Sequence, residues 1–96
     1  MGFIKEMKKM NKIELRALKY ENPPTLIGQL RKVEEEDAEF QRAVIKDDID
    51  NALEEFYDKI ESSLNALRMM GVSLEAIVAA QEKHFKKLEA RGWKFE

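Results

Sequence analysis

"LRKVEEEDAEFQRAVIKDDIDNALEEFYDKI", residues 30–60, holds two helical periods on either side of a short polar turn. In its first half Leu30, Val33, Phe40 and Val44 recur at helical steps, and Leu26 extends the series backwards. In its second half Ile49, Ala52, Leu53, Phe56 and Ile60 do the same, and Leu64 and Leu67 carry it on. Such spacing keeps apolar side chains on one face of a helix. The Lys46-Asp47-Asp48 turn is short enough to make the two helices antiparallel neighbours. Asp47 or Asp48 can cap the second of them, because a side-chain oxygen there accepts an orphan amide hydrogen.

Outward from this hairpin, punctuation gives two more helices. One is predicted over about residues 3–20, with Phe3, Ile4, Met7, Met10, Ile13, Ala17 and Leu18 as its stripe. Asn22-Pro23-Pro24-Thr25 ends it, since a residue before proline is biased away from the α region. The hairpin helices are predicted over about residues 26–45 and from Ile49 to the turn at Gly71, which suits the left-handed position past a helix end. Ser73 caps a last helix over about residues 74–91, with Ile77, Ala80, His84 and Leu88 on one side and Gly92 after it. No stretch alternates as a half-buried strand would, and Glu, Lys, Ala, Leu and Met dominate. The reading is one all-α domain over residues 1–96, a small four-helix bundle.

At 96 residues the chain is near the lower limit for a self-sufficient core, and oligomerisation is one remedy. It has no cysteine, so no disulfide or thiolate ligand contributes. Seventeen basic against nineteen acidic residues leave the charge nearly balanced, which argues against a phosphate-tracking nucleic-acid binder. No apolar run is long enough to span a bilayer, and "MGFIKEMKKMNK" lacks the apolar core of a signal peptide. A cytoplasmic protein without a membrane partner is expected.

The acidic residues are the informative ones. Glu36 and Glu39 are three apart on one predicted helix, and Glu55 and Asp58 are three apart on the next, so each pair points one way. On a wheel of about 100° per residue both pairs fall on the same rotational flank of their apolar stripes. Both are also equidistant from a turn centred on residue 47. Four carboxylates are therefore expected to converge at one level. Alternatively, each pair is a solvated face of a strongly charged helix. Converging carboxylates repel unless a cation lies among them, and an all-oxygen set without His or Cys suits Mg²⁺ or Mn²⁺. Glu35 points nearly opposite the stripe, and Asp37 falls inside it with no partner evident in the sequence.

The order E-E-x-x-E at Glu35, Glu36 and Glu39, then E-x-x-D at Glu55 and Asp58, resembles the MazG-like all-α nucleotide pyrophosphohydrolases. Fifteen residues separate the two motifs. "LRKVEEEDAEF", "ALEEFYDKIESSLNAL" and the Gly71–Leu74 turn into a basic last helix add to the likeness, which covers about residues 26–93. The resemblance implies Mg²⁺-dependent hydrolysis of a nucleoside triphosphate to monophosphate and pyrophosphate, by water attacking the α-phosphorus. It implies Glu36, Glu39, Glu55 and Asp58 as metal ligands, Glu35 as an accessory acid orienting water, and a homodimer or homotetramer. The chain is shorter than many members, and no base-specifying residue is recognisable.

Lys83, Lys87 and Arg91 recur every fourth residue on the last helix and suit a triphosphate or departing pyrophosphate. Their plainer reading is a surface ladder pairing with Glu75, Glu82 or Glu89. His84 reads as a core or interface side chain, and Trp93 and Phe95 as packing for the tail. The rival to an enzyme is a non-catalytic helical adaptor that keeps the bundle and binds partners through its apolar, Met-rich faces.

Overall fold

The computed structural model describes residues 11–96. Phe3, Ile4, Met7 and Met10 of the first predicted helix lie outside them. Three helices follow in order, α1 (Leu26–Ile45), α2 (Ile49–Met69) and α3 (Leu74–Ala90), and no strand occurs among the described residues. The all-α class is as the sequence indicates. Two compact units divide the chain: residues 15–74 hold the α1–α2 hairpin, and residues 75–96 form most of the second, with residues 11–14. Among the described residues no single helix is long and apolar enough to cross a membrane.

Each end of the hairpin helices is fixed by local chemistry. The Thr25 hydroxyl oxygen accepts from the Gly28 amide at 3.0 Å and starts α1. At its other end the Asp47 and Asp48 amides donate to the carbonyls of Val44 and Ala43, which forces Asp47 to a φ of 56°. Asp48 then caps α2 by accepting from the Asn51 amide at 3.3 Å. Gly71, at φ 82°, closes α2 with the same paired bonds, from Gly71 to Arg68 and from Val72 to Leu67.

Residues 11–20 carry no helix, contrary to the prediction over residues 3–20. Ile13 and Leu18 are about half exposed, at 50% and 53%, so no covered apolar face offsets the cost of nucleating a helix there. Within the unit of residues 15–74, the Tyr20 hydroxyl accepts from Asn65 Nδ2 of α2 at 2.9 Å.

The hairpin seam also differs from the apolar stripe. α1 buries Gln29, Glu36 and Ala43 with Val33 and Phe40 half-buried between them. α2 meets it with half-buried Ala52, Glu55 and Lys59 and buried Ser62 and Ala66. Both series step by three and four, as helices packed along a shallow crossing do. Measured from Val33 and Phe56, the seams centre near −40° and −80°, about 55° and 100° away from the two apolar stripes. Small side chains at Ala43, Ala52 and Ala66 allow close approach, and Gln29 Nε2 ties the helices by donating to the Ser62 carbonyl at 2.8 Å. Of the apolar stripes Leu64 is buried and Val33, Phe40 and Ile60 are half-buried, but much of the rest stays open. Leu26, Leu30, Val44, Leu53 and Phe56 are 37–57% exposed.

In the second unit α3 buries no residue fully. Phe95 of the tail packs edge-on against Phe85, with ring centroids 5.2 Å apart, as expected of a packing tail. Trp93 stays exposed, and so does His84, which the sequence places in an apolar stripe. His84 meets the Phe85 ring at 6.1 Å.

Candidate metal centre

The rotated seam carries the acidic flank into the hairpin interface. Glu36 is 4% exposed, and one oxygen each from Glu36, Glu39 and Glu55 lie within 4.8 Å of one another. Two of the carboxylate oxygens here, Glu36 Oε2 and Glu55 Oε2, are buried without a hydrogen-bond partner. A buried acceptor without a donor is costly, so these oxygens face a position that wants positive charge. Burial pushes the Glu55 carboxyl up to about 7, helped by hydrogen bonding and repulsion from Glu39, then by Glu36 and the charge of Asp58.

Asp58 is not one of the three converging groups. It lies exposed one turn beyond Glu55, near enough for its charge to act on Glu55. Glu35 is also on the outside, its side chain 57% exposed and 3.8 Å from Lys32 Nζ. Lys83 and Lys87 lie exposed on α3 and Arg91 just past its end, in the second unit. Among the described residues Lys86 of that helix pairs with Glu82 at 3.4 Å, a pairing of the ladder kind with a different lysine.

Two lysines complete the electrostatics, and neither is evident as a site residue from motif spacing. Lys32 Nζ sits 2.8 Å from Glu36 Oε1, and the hydrogen bond and charge of Glu36 raise its pKa. Lys59 reaches from the α2 seam to Asp37 Oδ1 at 3.0 Å, lying 4.8 Å over the Phe40 ring on the way. Asp37 thus gains the partner that the sequence does not reveal. Its pKa is lowered by the hydrogen bond and charge of Lys59, while Gln41 Nε2 donates to it at 3.0 Å.

With the geometry in view, no family model, curated protein or solved structure matches this chain. The fit to a cation therefore rests on the residues themselves. The donors are all carboxylate oxygens, the hard ligands that Mg²⁺ and Mn²⁺ take. Adjacent oxygens on octahedral Mg²⁺ are about 3 Å apart, so three carboxylate oxygens within 4.8 Å of one another must close by up to about 2 Å around the ion. Glu36, Glu39 and Glu55 are the donors that could hold such an ion, and Asp58 is not among them.

Proposed function

We propose that this chain is a Mg²⁺-dependent nucleotide pyrophosphohydrolase of MazG-like type, with Mn²⁺ able to replace Mg²⁺. The observation that carries the reading is that Glu36 and Glu55, each with a buried, unpartnered carboxylate oxygen, meet Glu39 in one carboxylate cluster. A carboxylate cluster built only for solubility would point its oxygens at water. When bound, Mg²⁺ supplies the positive charge that offsets the phosphoryl oxygens.

Glu36, Glu39 and Glu55 hold that charge. Glu35 is exposed and only loosely paired, 3.8 Å from Lys32 Nζ, and in this proposal it accepts a proton from water as the water oxygen bonds to the α-phosphorus. The bond to the bridging oxygen breaks, pyrophosphate leaves with the electron pair, and the monophosphate remains. The basic ladder of Lys83, Lys87 and Arg91 belongs to this proposal as phosphate-binding side chains. So do a cytoplasmic workplace, where nucleotides are plentiful, and a bundle completed by further copies of the chain.

The test is pyrophosphate release from a panel of standard and modified nucleoside triphosphates, with and without Mg²⁺ or Mn²⁺. Metal-dependent turnover of at least one is expected. Glu39→Gln should abolish it while leaving metal-free stability unchanged or improved, because one repelling charge is gone. No turnover on any substrate, together with no rise in melting temperature on adding metal, would reject the enzyme. That outcome would favour the second reading, a non-catalytic adaptor, for which the exposed apolar stripe of α1 and α2 is the supporting observation.

A further inference from the structure

We propose that Lys32 is a tethered cation serving the acidic cluster, holding Glu36 before metal arrives and passing to the substrate's phosphate oxygens once a divalent ion takes Glu36. The inference rests on the metal-centre reading above and adds a phosphate-positioning residue to it.

The first support is where the ammonium sits. Lys32 Nζ contacts Glu36 Oε1 at 2.8 Å, while the other oxygen of the same carboxylate is buried and unpartnered. One carboxylate, 4% exposed, is thus half satisfied by a lysine and half open to something else. Helix stabilisation does not account for the pair. Lysine placed four residues before glutamate is the weaker of the two orders on a helix.

The second support is asymmetry of freedom. The Lys32 side chain is 52% exposed, against 6% for that of Glu36. The ammonium can swing outward on its flexible stem, whereas the carboxylate is fixed in the seam. Its second contact, with Glu35 at 3.8 Å, already lies on this outward path. Lys59 has no such freedom, held on Asp37 at 3.0 Å and over the Phe40 ring.

The third is charge. An ammonium and a divalent ion on the same carboxylate repel each other, and the weaker charge gives way. Released beside the ion, it meets the phosphate oxygens that the ion would bind, and it offers three donors to them. Lys32 then exchanges one anion for another at little net cost.

The experiment compares wild type with Lys32→Met and Lys32→Gln, which remove the charge, and with Lys32→Arg, which keeps it. Mn²⁺ binding is read from the resonance signal of the free ion, and inorganic pyrophosphate binding by calorimetry in Mg²⁺ buffer. Loss of the lysine should tighten Mn²⁺ about threefold to fivefold, the scale of a partly exposed ion pair. The same variants should bind pyrophosphate about tenfold more weakly, the scale of one charge-assisted contact, and Lys32→Arg should restore most of that binding. A merely structural lysine would not move the two affinities in opposite directions. Unchanged or weaker Mn²⁺ binding in the charge-removing variants, or unchanged pyrophosphate binding, overturns the role of Lys32 and leaves the metal centre standing. A wild-type chain that binds no Mn²⁺ overturns both.

Discussion

Glu55 shows at the scale of one residue what the cluster does to its members. Its carboxyl is raised from an ordinary 4.5 to about 7 in the folded chain, by burial first and by its acidic neighbours second. Below pH 4.5 it is protonated folded or unfolded, and contributes no difference. Between about 4.5 and 7 the unfolded chain gives up its proton while the folded chain keeps it, so the unfolded state binds fewer protons. Stability of the metal-free protein should therefore fall as pH rises through this window, and level off above it. Glu55→Gln should flatten that part of the profile in urea titrations at a series of pH values. A Gln variant with the same slope as wild type would assign the effect to other groups. The meeting of Glu55 with Glu36 and Glu39 was legible from their common flank on the wheel and their distances from the turn, but the same reasoning also brought in Asp58, which stays outside. Asp37 was not legible, because its partner Lys59 is a seam residue whose reach depends on how far α2 is rotated.

At the scale of elements, helix ends were the most legible feature, because capping is local chemistry. Gly71, and a cap at Asp47 or Asp48, were placed from such local chemistry, whereas Thr25, read only as part of a break, proves to cap α1. The arm at residues 11–20 failed for the opposite reason. Its stripe looked helical, but helix formation over that length depends on burial, and Ile13 and Leu18 remain about half exposed. Asp47 is the strained joint between α1 and α2, a non-glycine residue held at φ 56° by two amide bonds that end α1. Left-handed backbone disfavours a residue with a Cβ, even Asp, and the strain is local to the turn. Asp47→Gly should stabilise the chain by about 0.5–1 kcal/mol in urea denaturation, the relief of strain being partly offset by a floppier unfolded state. A loss of stability would mean that the Asp47 side chain makes a contribution larger than its strain.

The arrangement of the hairpin reconciles two facts that conflict on a simple wheel. Much of the apolar surface of α1 and α2 stays out of the seam, where Phe40 meets Phe56 beside residues that are mostly small, polar or charged. A wheel weights hydrophobicity, whereas the pair closes along its smallest side chains and lets both apolar stripes turn to one side. There Phe40, Val44, Ile49, Leu53 and Phe56 help line a groove of about 410 Å³ at the turn end. Such a groove on a short chain is what the proposed second copy would fill, and a two-fold contact would use each residue twice. Leu53 is the best probe because it is 57% exposed and outside the α1–α2 seam, so changing it leaves the hairpin intact. Burying one leucine is worth about 1.5–3 kcal/mol, and counted twice this predicts a dimer weakened by roughly two to four powers of ten in Leu53→Lys. Sedimentation across a concentration series should show the wild type associating and Leu53→Lys remaining a monomer, with helical circular dichroism preserved in both. A wild-type chain that stays monomeric throughout would refute completion by a second copy. The apolar face would then belong to a different partner, as the adaptor reading requires.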